Sequence, residues 1–256
     1  MVAAFAPPMR AWYDRGMYLE NVSLDAADSG RVGRFWEALL GCTTLVDQAD
    51  AYETRLTVPD GPVLDLCVQR VPEPATAPLR LHLDLAGGNR QAEVVERALS
   101  IGARPLDVGQ GDVPWVVLGD PEGTPFCVME DRPEYRASGP VAALPLDSAD
   151  PQQDAVFWAE LSGWVPASSS MPAALRHPSG RGPLLELCQE GGPKRGGKNR
   201  LHLDIRLEQG DDADAVLARV LEQGGRELHP DWGELPWRVL ADPSGNELCL
   251  LPARDS

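Results

Sequence analysis

The sequence predicts an α+β protein in which a strand–helix–three-strand module occurs four times, as two tandem copies of a two-module domain. The first observation is a repeated strand pattern: LRLHLDL at Leu79–Leu85 returns as NRLHLDI at Asn199–Ile205. The second is that VPWVVLGDPEGTPFCVM (Val113–Met129) returns as LPWRVLADPSGNELCLL (Leu235–Leu251), again at an offset of about 120 residues. Such a long match in the same order indicates two copies of one fold.

The repeat divides the chain into three predicted parts. Residues 1–15 are expected to form a loose leader, because they lack the basic start and apolar core of a signal peptide. Residues 16–133 are predicted to form the first domain and residues 138–256 the second. The boundary falls in DRPEYRASGP (Asp131–Pro140), where proline and polar residues interrupt the repeated pattern.

The first module is predicted to begin with a strand at Tyr18–Leu24, followed by a helix that Asp28 or Ser29 caps and Gly41 ends. One face of this helix is apolar at helical spacing and is expected to be buried: Val32, Phe35, Trp36, Leu39 and Leu40. Three strands follow, at Thr43–Val46, Glu53–Val58 and Val63–Gln69.

The second module repeats this order. Its first strand contains His82, its helix runs over Arg90–Ile101, and its last strands lie at Trp115–Leu118 and Pro125–Glu130, with DPEG as a tight turn between them. In the second half, Asp150 followed by Pro151 marks the start of the helix equivalent to the first one. The tryptophans of these two equivalent helices, Trp36 and Trp158, are predicted to be core residues.

Composition narrows the possible partners. The chain has 256 residues, of which 43% are apolar and 24% charged, as in ordinary globular proteins. No apolar run is long enough to span a membrane, so a membrane partner is not expected. The net charge of −16 argues against nucleic acid, because the chain would repel a phosphate backbone. No phosphate-binding loop, dinucleotide fingerprint or serine-nucleophile motif occurs.

The cysteines indicate a reducing compartment. Their number is odd and no pair has Cys-x-x-Cys spacing: Cys42, Cys67, Cys127, Cys188 and Cys249. Several of them lie within apolar strand patterns, which favours reduced thiols over a disulfide framework. We therefore expect a cytoplasmic protein.

Strand alternation predicts which side chains face a cavity. In the first repeated strand, the leucines at 79, 81, 83 and 85 share one face, while Arg80, His82 and Asp84 share the other. The second copy places Arg200, His202 and Asp204 together in the same way. The leucine face is expected to pack under the helices, and the polar face to line the concave side of the sheet.

These modules and the segments RLHLDL, VPWVVLGDPEGTPFCVM and LPWRVLADPSGNELCLL resemble the vicinal oxygen chelate superfamily, which includes glyoxalase I, extradiol dioxygenases and bleomycin- or fosfomycin-resistance proteins. The resemblance extends from about Tyr18 to Pro252. It implies two glyoxalase-like domains, each with two paired βαβββ modules that form a cupped, open-barrel sheet. It also implies an intramolecular pseudo-dimer, either monomeric or a homodimer. Some members of the superfamily build cavities from modules of different chains, so which modules pair here stays open.

The resemblance also implies metal ligands on the first and last strands of each module. If each half forms its own cups, one site gathers Asp65, His82 and Cys127. The other gathers Glu186, His202 and Cys249. Two departures weaken a typical site of the superfamily: Asn21 and Ala143 occupy the first-strand ligand positions, and cysteine replaces the final glutamate.

An imidazole, a carboxylate and a thiolate favour zinc over magnesium, manganese or iron. Three other readings of these residues stay open. The histidine–acid pairs can be buried ion pairs without catalysis. The cysteines can be small apolar fillers. His82 and His202 can act as general bases without a metal.

Three functions remain after these exclusions, of which a structural or interaction module is the least favoured, because a polar concave face would be unusual for that role. The first is binding of a small organic molecule in the sheet cavities, as in resistance or sequestration, with Trp115, Trp237, Asp84 and Asp204 as ligand contacts. The second is a metal-dependent lyase, isomerase or dioxygenase that acts on a vicinal-oxygen substrate. The sequence leaves open whether the protein is an enzyme.

Overall fold

The structure, a computed structural model, describes residues 16–231 and 233–254. Its described part contains four α-helices and two open eight-stranded mixed sheets, which confirms the predicted α+β class. The predicted leader at residues 1–15 lies outside the described residues. None of the helices described is long and apolar enough to cross a lipid bilayer.

Each module has the predicted order of one strand, one helix and three strands. Module 1 comprises β1 (Met17–Ala26), α1 (Ser29–Leu40), β2 (Thr43–Asp47), β3 (Ala51–Thr57) and β4 (Val63–Arg70). Module 2 comprises β5 (Asp84–Gly88), α2 (Gln91–Ser100), β6 (Arg104–Pro105), β7 (Val116–Gly119) and β8 (Pro125–Glu130). Module 3 comprises β9 (Val141–Ser148), α3 (Pro151–Ser162), β10 (Val165–Pro166), β11 (Ala173–Arg176) and β12 (Leu184–Gln189). Module 4 comprises β13 (Leu201–Leu207), α4 (Ala213–Glu222), β14 (Arg226–Leu228), β15 (Arg238–Ala241) and β16 (Glu247–Leu251).

The sheets combine modules from opposite halves of the sequence. One sheet, here the 1–4 sheet, has the order β14-β15-β16-β13-β1-β4-β3-β2, and the 2–3 sheet has the order β10-β11-β12-β9-β5-β8-β7-β6. The modules meet where β1 pairs with β13 and where β5 pairs with β9, both antiparallel. The first module of the chain therefore shares its sheet with the last, and the two middle modules share the other.

The helix ends follow the predicted signals. Asp28 caps α1 by accepting a hydrogen bond from the Arg31 backbone N–H, and Gly41 ends the helix in the left-handed region with φ 72°. Asp150 caps α3 with Pro151 in its first turn. These positions confirm the predicted starts of both helices.

The helices contact the other module of their own half of the chain, whereas the first strand of each module pairs with a module of the opposite half. Trp36 of α1 is 1% exposed, and its ring centroid lies 5.0 Å from that of Phe126 on β8. Trp158 of α3, also 1% exposed, donates its indole N–H to Asp242, which follows β15. Both tryptophans are core residues, as predicted. The four modules thus interlock, because helices pack within a half while sheets join the halves.

The predicted strand over Leu79–Leu85 is shorter in the structure than its copy. Regular pairing begins only at Asp84, after a single bridge from Leu81 to Leu146, whereas β13 is continuous from Leu201 to Leu207. The cause lies on the neighbouring strand. His82 donates its backbone N–H to the Pro145 carbonyl, but proline has no N–H to donate in return, so the ladder is interrupted.

We expect neither half to fold alone as a stable monomer. A fragment ending at residue 137 leaves β1 and β5 without the partner strands β13 and β9, which exposes two sheet edges. Size-exclusion chromatography and circular dichroism of the separate halves should show association or loss of structure. Mixing the halves should restore a one-to-one complex. A monomeric first half with cooperative unfolding would contradict this interlocked arrangement.

Candidate functional site

A cavity of about 500 Å³ lies on one face of the 2–3 sheet, next to His82. We call it the His82 cavity. Its walls are mainly apolar and aromatic, with a few polar groups among them. The lining residues that bear on its chemistry are Trp115, Val117, Phe126, Met129, Met171, Tyr135, Arg132, His82, Asp84, Cys127, Glu186 and Cys188.

Modules 2 and 3 both contribute to this cavity. Asp84 begins β5 and His82 lies two residues before it, while Cys127 lies on β8 between the core residues Phe126 and Val128. Glu186 comes from β12 of module 3. The register of β5 beside β8, with Asp84 opposite Cys127, brings the residues of module 2 together. The predicted polar face is therefore the cavity face for His82 and Asp84.

His82, Asp84 and Cys127 form a compact cluster whose candidate ligand atoms all lie within 4.8 Å of one another. The His82 Nδ1 and Asp84 Oδ1 atoms are 3.0 Å apart. Both atoms are buried, and neither has a well-aligned hydrogen-bond partner. Burial lowers the pKa of His82, but the nearby Asp84 carboxylate outweighs this effect and the net shift is upward.

An equivalent cluster in the 1–4 sheet contains His202, Asp204 and Cys249. The His202 Nε2 atom lies 3.3 Å from Asp204 Oδ1 and 3.5 Å from the Cys249 sulfur. Asn21 and Ser23 of β1 donate hydrogen bonds to Asp204 Oδ2, at 3.0 and 2.7 Å. Asp204 Oδ1 is left without a partner, as is the buried His202 Nδ1.

The His202 cluster is more buried than the His82 cluster. The His202 side chain is 12% exposed, against 34% for His82. Burial acts to lower the pKa of His202, but the Asp204 carboxylate raises it to about 10, and the same pairing lowers the pKa of Asp204. Without a cation in the cluster, His202 and Asp204 therefore form a buried ion pair.

The donor atoms of both clusters fit a zinc ion. Zinc accepts one imidazole, one carboxylate and one thiolate and leaves a fourth position for water. The unpartnered His82 Nδ1 and Asp84 Oδ1 atoms of one cluster, and the unpartnered Asp204 Oδ1 atom of the other, are what a bound cation would satisfy. In the second cluster the imidazole ligand atom would be His202 Nε2, which faces Asp204 and Cys249. Burial raises the pKa of the Cys127 and Cys249 thiols, so they are neutral unless a metal displaces their protons.

The predicted grouping of acids with histidines is wrong. Asp65 lies on β4 of the 1–4 sheet and therefore belongs with His202, whereas Glu186 on β12 lines the His82 cavity. The physical reason is the strand pairing, since β5 lies beside β9 of the other half. Asp65 is also engaged, because Arg55 binds both of its oxygens at 2.7 and 2.6 Å.

The two first-strand positions differ in their contacts. Asn21 supports Asp204 through its amide group, while Ala143 is a buried residue of β9 opposite Asp84. Alternation in the sequence had placed Asp84 and Asp204 on the histidine faces, which was the available signal for their membership of the clusters. The predicted ligand contact Trp115 lines the His82 cavity, whereas its counterpart Trp237 is 38% exposed.

Sequence reasoning missed three features of the sites. Tyr135 and Arg132 come from the segment between modules 2 and 3 and line the His82 cavity. Glu20, only 5% exposed at its side chain, joins Arg206 at 2.6 Å and Arg254 at 2.9 Å on the 1–4 sheet. Arg132 and Arg254 each lie three residues beyond the equivalent positions Met129 and Leu251, so the repeat offered a signal for these two arginines. Tyr135 lies in the linker, outside the matched segments.

Glu186 is the most buried acid of the His82 cavity, with only 1% of the residue exposed. It accepts hydrogen bonds from the Tyr135 hydroxyl, at 3.3 and 3.4 Å, and from the Ser169 hydroxyl. Burial raises the pKa of its carboxyl group, and the charge of Asp84 adds to this rise, while the hydroxyl donors and the charge of Arg132 oppose it.

Each of the two sheets thus combines two modules and contains a His–Asp–Cys cluster. A family model for the glyoxalase-like domain matches residues 21–129 and 143–251, so the chain belongs to this family and contains its domain twice. This match confirms the resemblance to the vicinal oxygen chelate superfamily. No protein of curated function matches the sequence significantly.

Two solved structures share the architecture over nearly the whole chain. Glyoxalase I from Zea mays aligns over 92% of this chain and 92% of its own, with 18% identity and a TM-score of 0.63. A putative dioxygenase from Bacillus subtilis aligns over 94% of this chain and 87% of its own, with 12% identity and a TM-score of 0.56. At these identities, the similarity concerns the fold.

We expect the two histidines to differ in their contribution to stability. His202→Ala should lower the free energy of unfolding by about 1–3 kcal/mol, because Asp204 would remain buried without its partner. His82→Ala should cost less, since its side chain is 34% exposed to the cavity and water can reach Asp84. Urea unfolding of both variants measures the difference. A larger loss for His82→Ala would contradict this ranking.

Proposed function

We propose that the protein binds a small organic molecule with a flat, apolar body in the His82 cavity. One observation carries this proposal: a cavity of about 500 Å³ has mainly apolar and aromatic walls with a few convergent polar groups. Small-molecule sites in proteins commonly have this size and composition. Binding without chemical change would correspond to sequestration, as in a resistance protein.

The lining residues suggest how such a molecule would lie. Trp115 offers an indole face for stacking, and Phe126, Met129 and Met171 offer apolar contact on the surrounding walls. Asp84 and Glu186 supply carboxylates that would orient a polar group of the ligand. In the 1–4 sheet, Trp237 and Asp204 are the corresponding candidates. There, Glu20, Arg206 and Arg254 introduce a network of ion pairs.

A second candidate function is metal-dependent catalysis, as a lyase, isomerase or dioxygenase acting on vicinal oxygens. It is favoured by buried, unpartnered atoms in the two His–Asp–Cys clusters: His82 Nδ1 and Asp84 Oδ1 in one, and Asp204 Oδ1 in the other. A bound zinc ion would supply Lewis-acid chemistry there. His82, Asp84 and Cys127 would hold one ion, and His202, Asp204 and Cys249 another. In a metal-free variant of this function, His82 or His202 would hold or transfer a proton as a general base.

The remaining expectations follow from charge and cysteine chemistry. All five cysteines are free thiols, which supports a reducing, cytoplasmic location. The partner we propose is a small molecule rather than nucleic acid or a membrane, in keeping with the net charge of −16. The interlocked modules already supply both cups, so the chain would act as an intramolecular pseudo-dimer, either as a monomer or within a homodimer.

We expect saturable binding of the neutral apolar dye N-phenyl-1-naphthylamine, with a rise in its fluorescence as it leaves water. Met171→Trp should weaken this binding at least about tenfold by filling part of the cavity. Leu221→Trp, at a surface position of α4 that is 51% exposed, is the matched control and should leave binding unchanged. Equal affinity in wild type and Met171→Trp would exclude the His82 cavity as the binding site.

The metal-dependent alternative predicts one or two equivalents of zinc in protein purified without chelator or nickel resin. Elemental analysis should then show one equivalent lost in His82→Ala and another in His202→Ala, because each cluster loses its imidazole ligand. His177→Ala removes a histidine outside both clusters and should retain the metal. A wild-type protein without zinc or another divalent metal would reject the metal-dependent form of this alternative.

A further inference from the structure

The His82 cavity contains a buried carboxylate that no cation of the described residues approaches within ion-pair distance. Glu186 is 1% exposed, and its hydrogen-bond donors, the hydroxyls of Tyr135 and Ser169, are neutral. Buried carboxylates in proteins are normally paired with a cation, because an isolated buried charge is costly. Two hydroxyl donors reduce this cost without neutralising the charge.

The nearby arginines are engaged elsewhere. Arg132 binds the Glu130 carboxylate at 2.6 Å. Arg176 donates hydrogen bonds to the Glu134 carbonyl and to the Ser138 hydroxyl. The buried Nε of Arg176 has no partner, and the charges of Arg132 and Arg176 both act on Glu186 at longer range. Neither guanidinium forms an ion pair with Glu186 in the part of the chain that the structure describes.

A second acid adds to the negative character of the cavity. The Asp84 side chain is 6% exposed, and its Oδ1 atom has no aligned hydrogen-bond donor. His82 is its close basic neighbour, at 3.0 Å. Of the two lining carboxylates, Asp84 has His82 as an ion-pair partner, while Glu186 has no cation of the described residues within ion-pair distance. Arg132 adds no net positive charge, because Glu130 matches it.

The aromatic walls are also suited to a cation. The Arg132 guanidinium lies 5.7 Å from the centre of the Trp115 ring and 5.6 Å from that of Tyr135. Both distances fall in the range of cation–π contacts. The rings at this cavity therefore already pair with one positive group, and their π systems favour positive charge at their faces.

We propose that the His82 cavity selects cationic aromatic molecules, in which a flat apolar body carries a protonated amine, over neutral or anionic molecules with the same body. The inference rests on the proposed binding function and specifies its ligand class. The amine would pair with Glu186, and the apolar body would lie against Trp115, Phe126 and Met129. A charge-assisted hydrogen bond is stronger than a neutral one, so the cavity would bind the ammonium form of such a molecule more tightly than a neutral analogue.

The test compares three probes with one bicyclic body: 1-naphthylmethylamine, 1-naphthylmethanol and 1-naphthaleneacetate. Isothermal titration at neutral pH on the full chain as purified gives their affinities. We expect the ammonium probe to bind at least about tenfold more tightly than the alcohol, and the carboxylate to bind most weakly. The ranking on the wild-type protein requires no substitution, so it stands even if a variant fails to fold.

Two matched variants assign the selection to Glu186. Glu186→Gln keeps the size and an acceptor oxygen but removes the charge, so the ammonium and alcohol probes should bind within about threefold of each other. Glu190→Gln removes an exposed acid just beyond the same strand, outside the cavity lining, and should keep the wild-type preference. A preference that survives in Glu186→Gln would overturn the proposal.

The outcomes separate this inference from the function on which it rests. If N-phenyl-1-naphthylamine binds but the ammonium probe binds no better than the alcohol, or does not bind, cation selection is overturned and the binding function stands. If neither the dye nor any of the three probes binds, the binding function itself is overturned, and the charge selection with it.

Discussion

The antiparallel pairing of β1 with β13 and of β5 with β9 is the interaction on which the rest of the structure depends. It joins the first module to the fourth and the second to the third, so each sheet needs both halves of the chain. The same pairing brings Glu186 into the cavity of His82 and leaves Asp65 with His202. The composition of each site is therefore a consequence of backbone hydrogen bonds at two sheet edges.

The two His–Asp–Cys clusters have different surroundings in the two sheets. In the 1–4 sheet, Asn21 and Ser23 hold Asp204. In the 2–3 sheet, module 3 contributes Ala143 and Pro145, which offer Asp84 no side-chain donor, and the neighbouring space is the His82 cavity. The buried His202–Asp204 ion pair thus lies beside β1, which offers polar side chains. The His82 cavity lies beside β9, which offers apolar ones.

Local sequence signals were sufficient to predict the helices and strands and many of the core residues. Helix starts at Asp28 and Asp150, and burial of Trp36 and Trp158, follow from capping chemistry and helical periodicity, which act over a few residues. Alternation placed Asp84 beside His82 on one face for the same reason. The shortened strand before Asp84 was not predictable from its own residues, because its cause is a proline on another strand.

The sequence by itself determined that one module is repeated four times, which faces of its strands are polar, and that the histidine of each repeated strand is accompanied by an acid and a cysteine. The tertiary structure decided which modules share a sheet, and hence which acid belongs to which histidine. The physical reason is that similar modules have similar edges, so local patterns permit more than one pairing. Only the pairing in the folded chain distinguishes Asp65 from Glu186 as the neighbour of the His82 cavity.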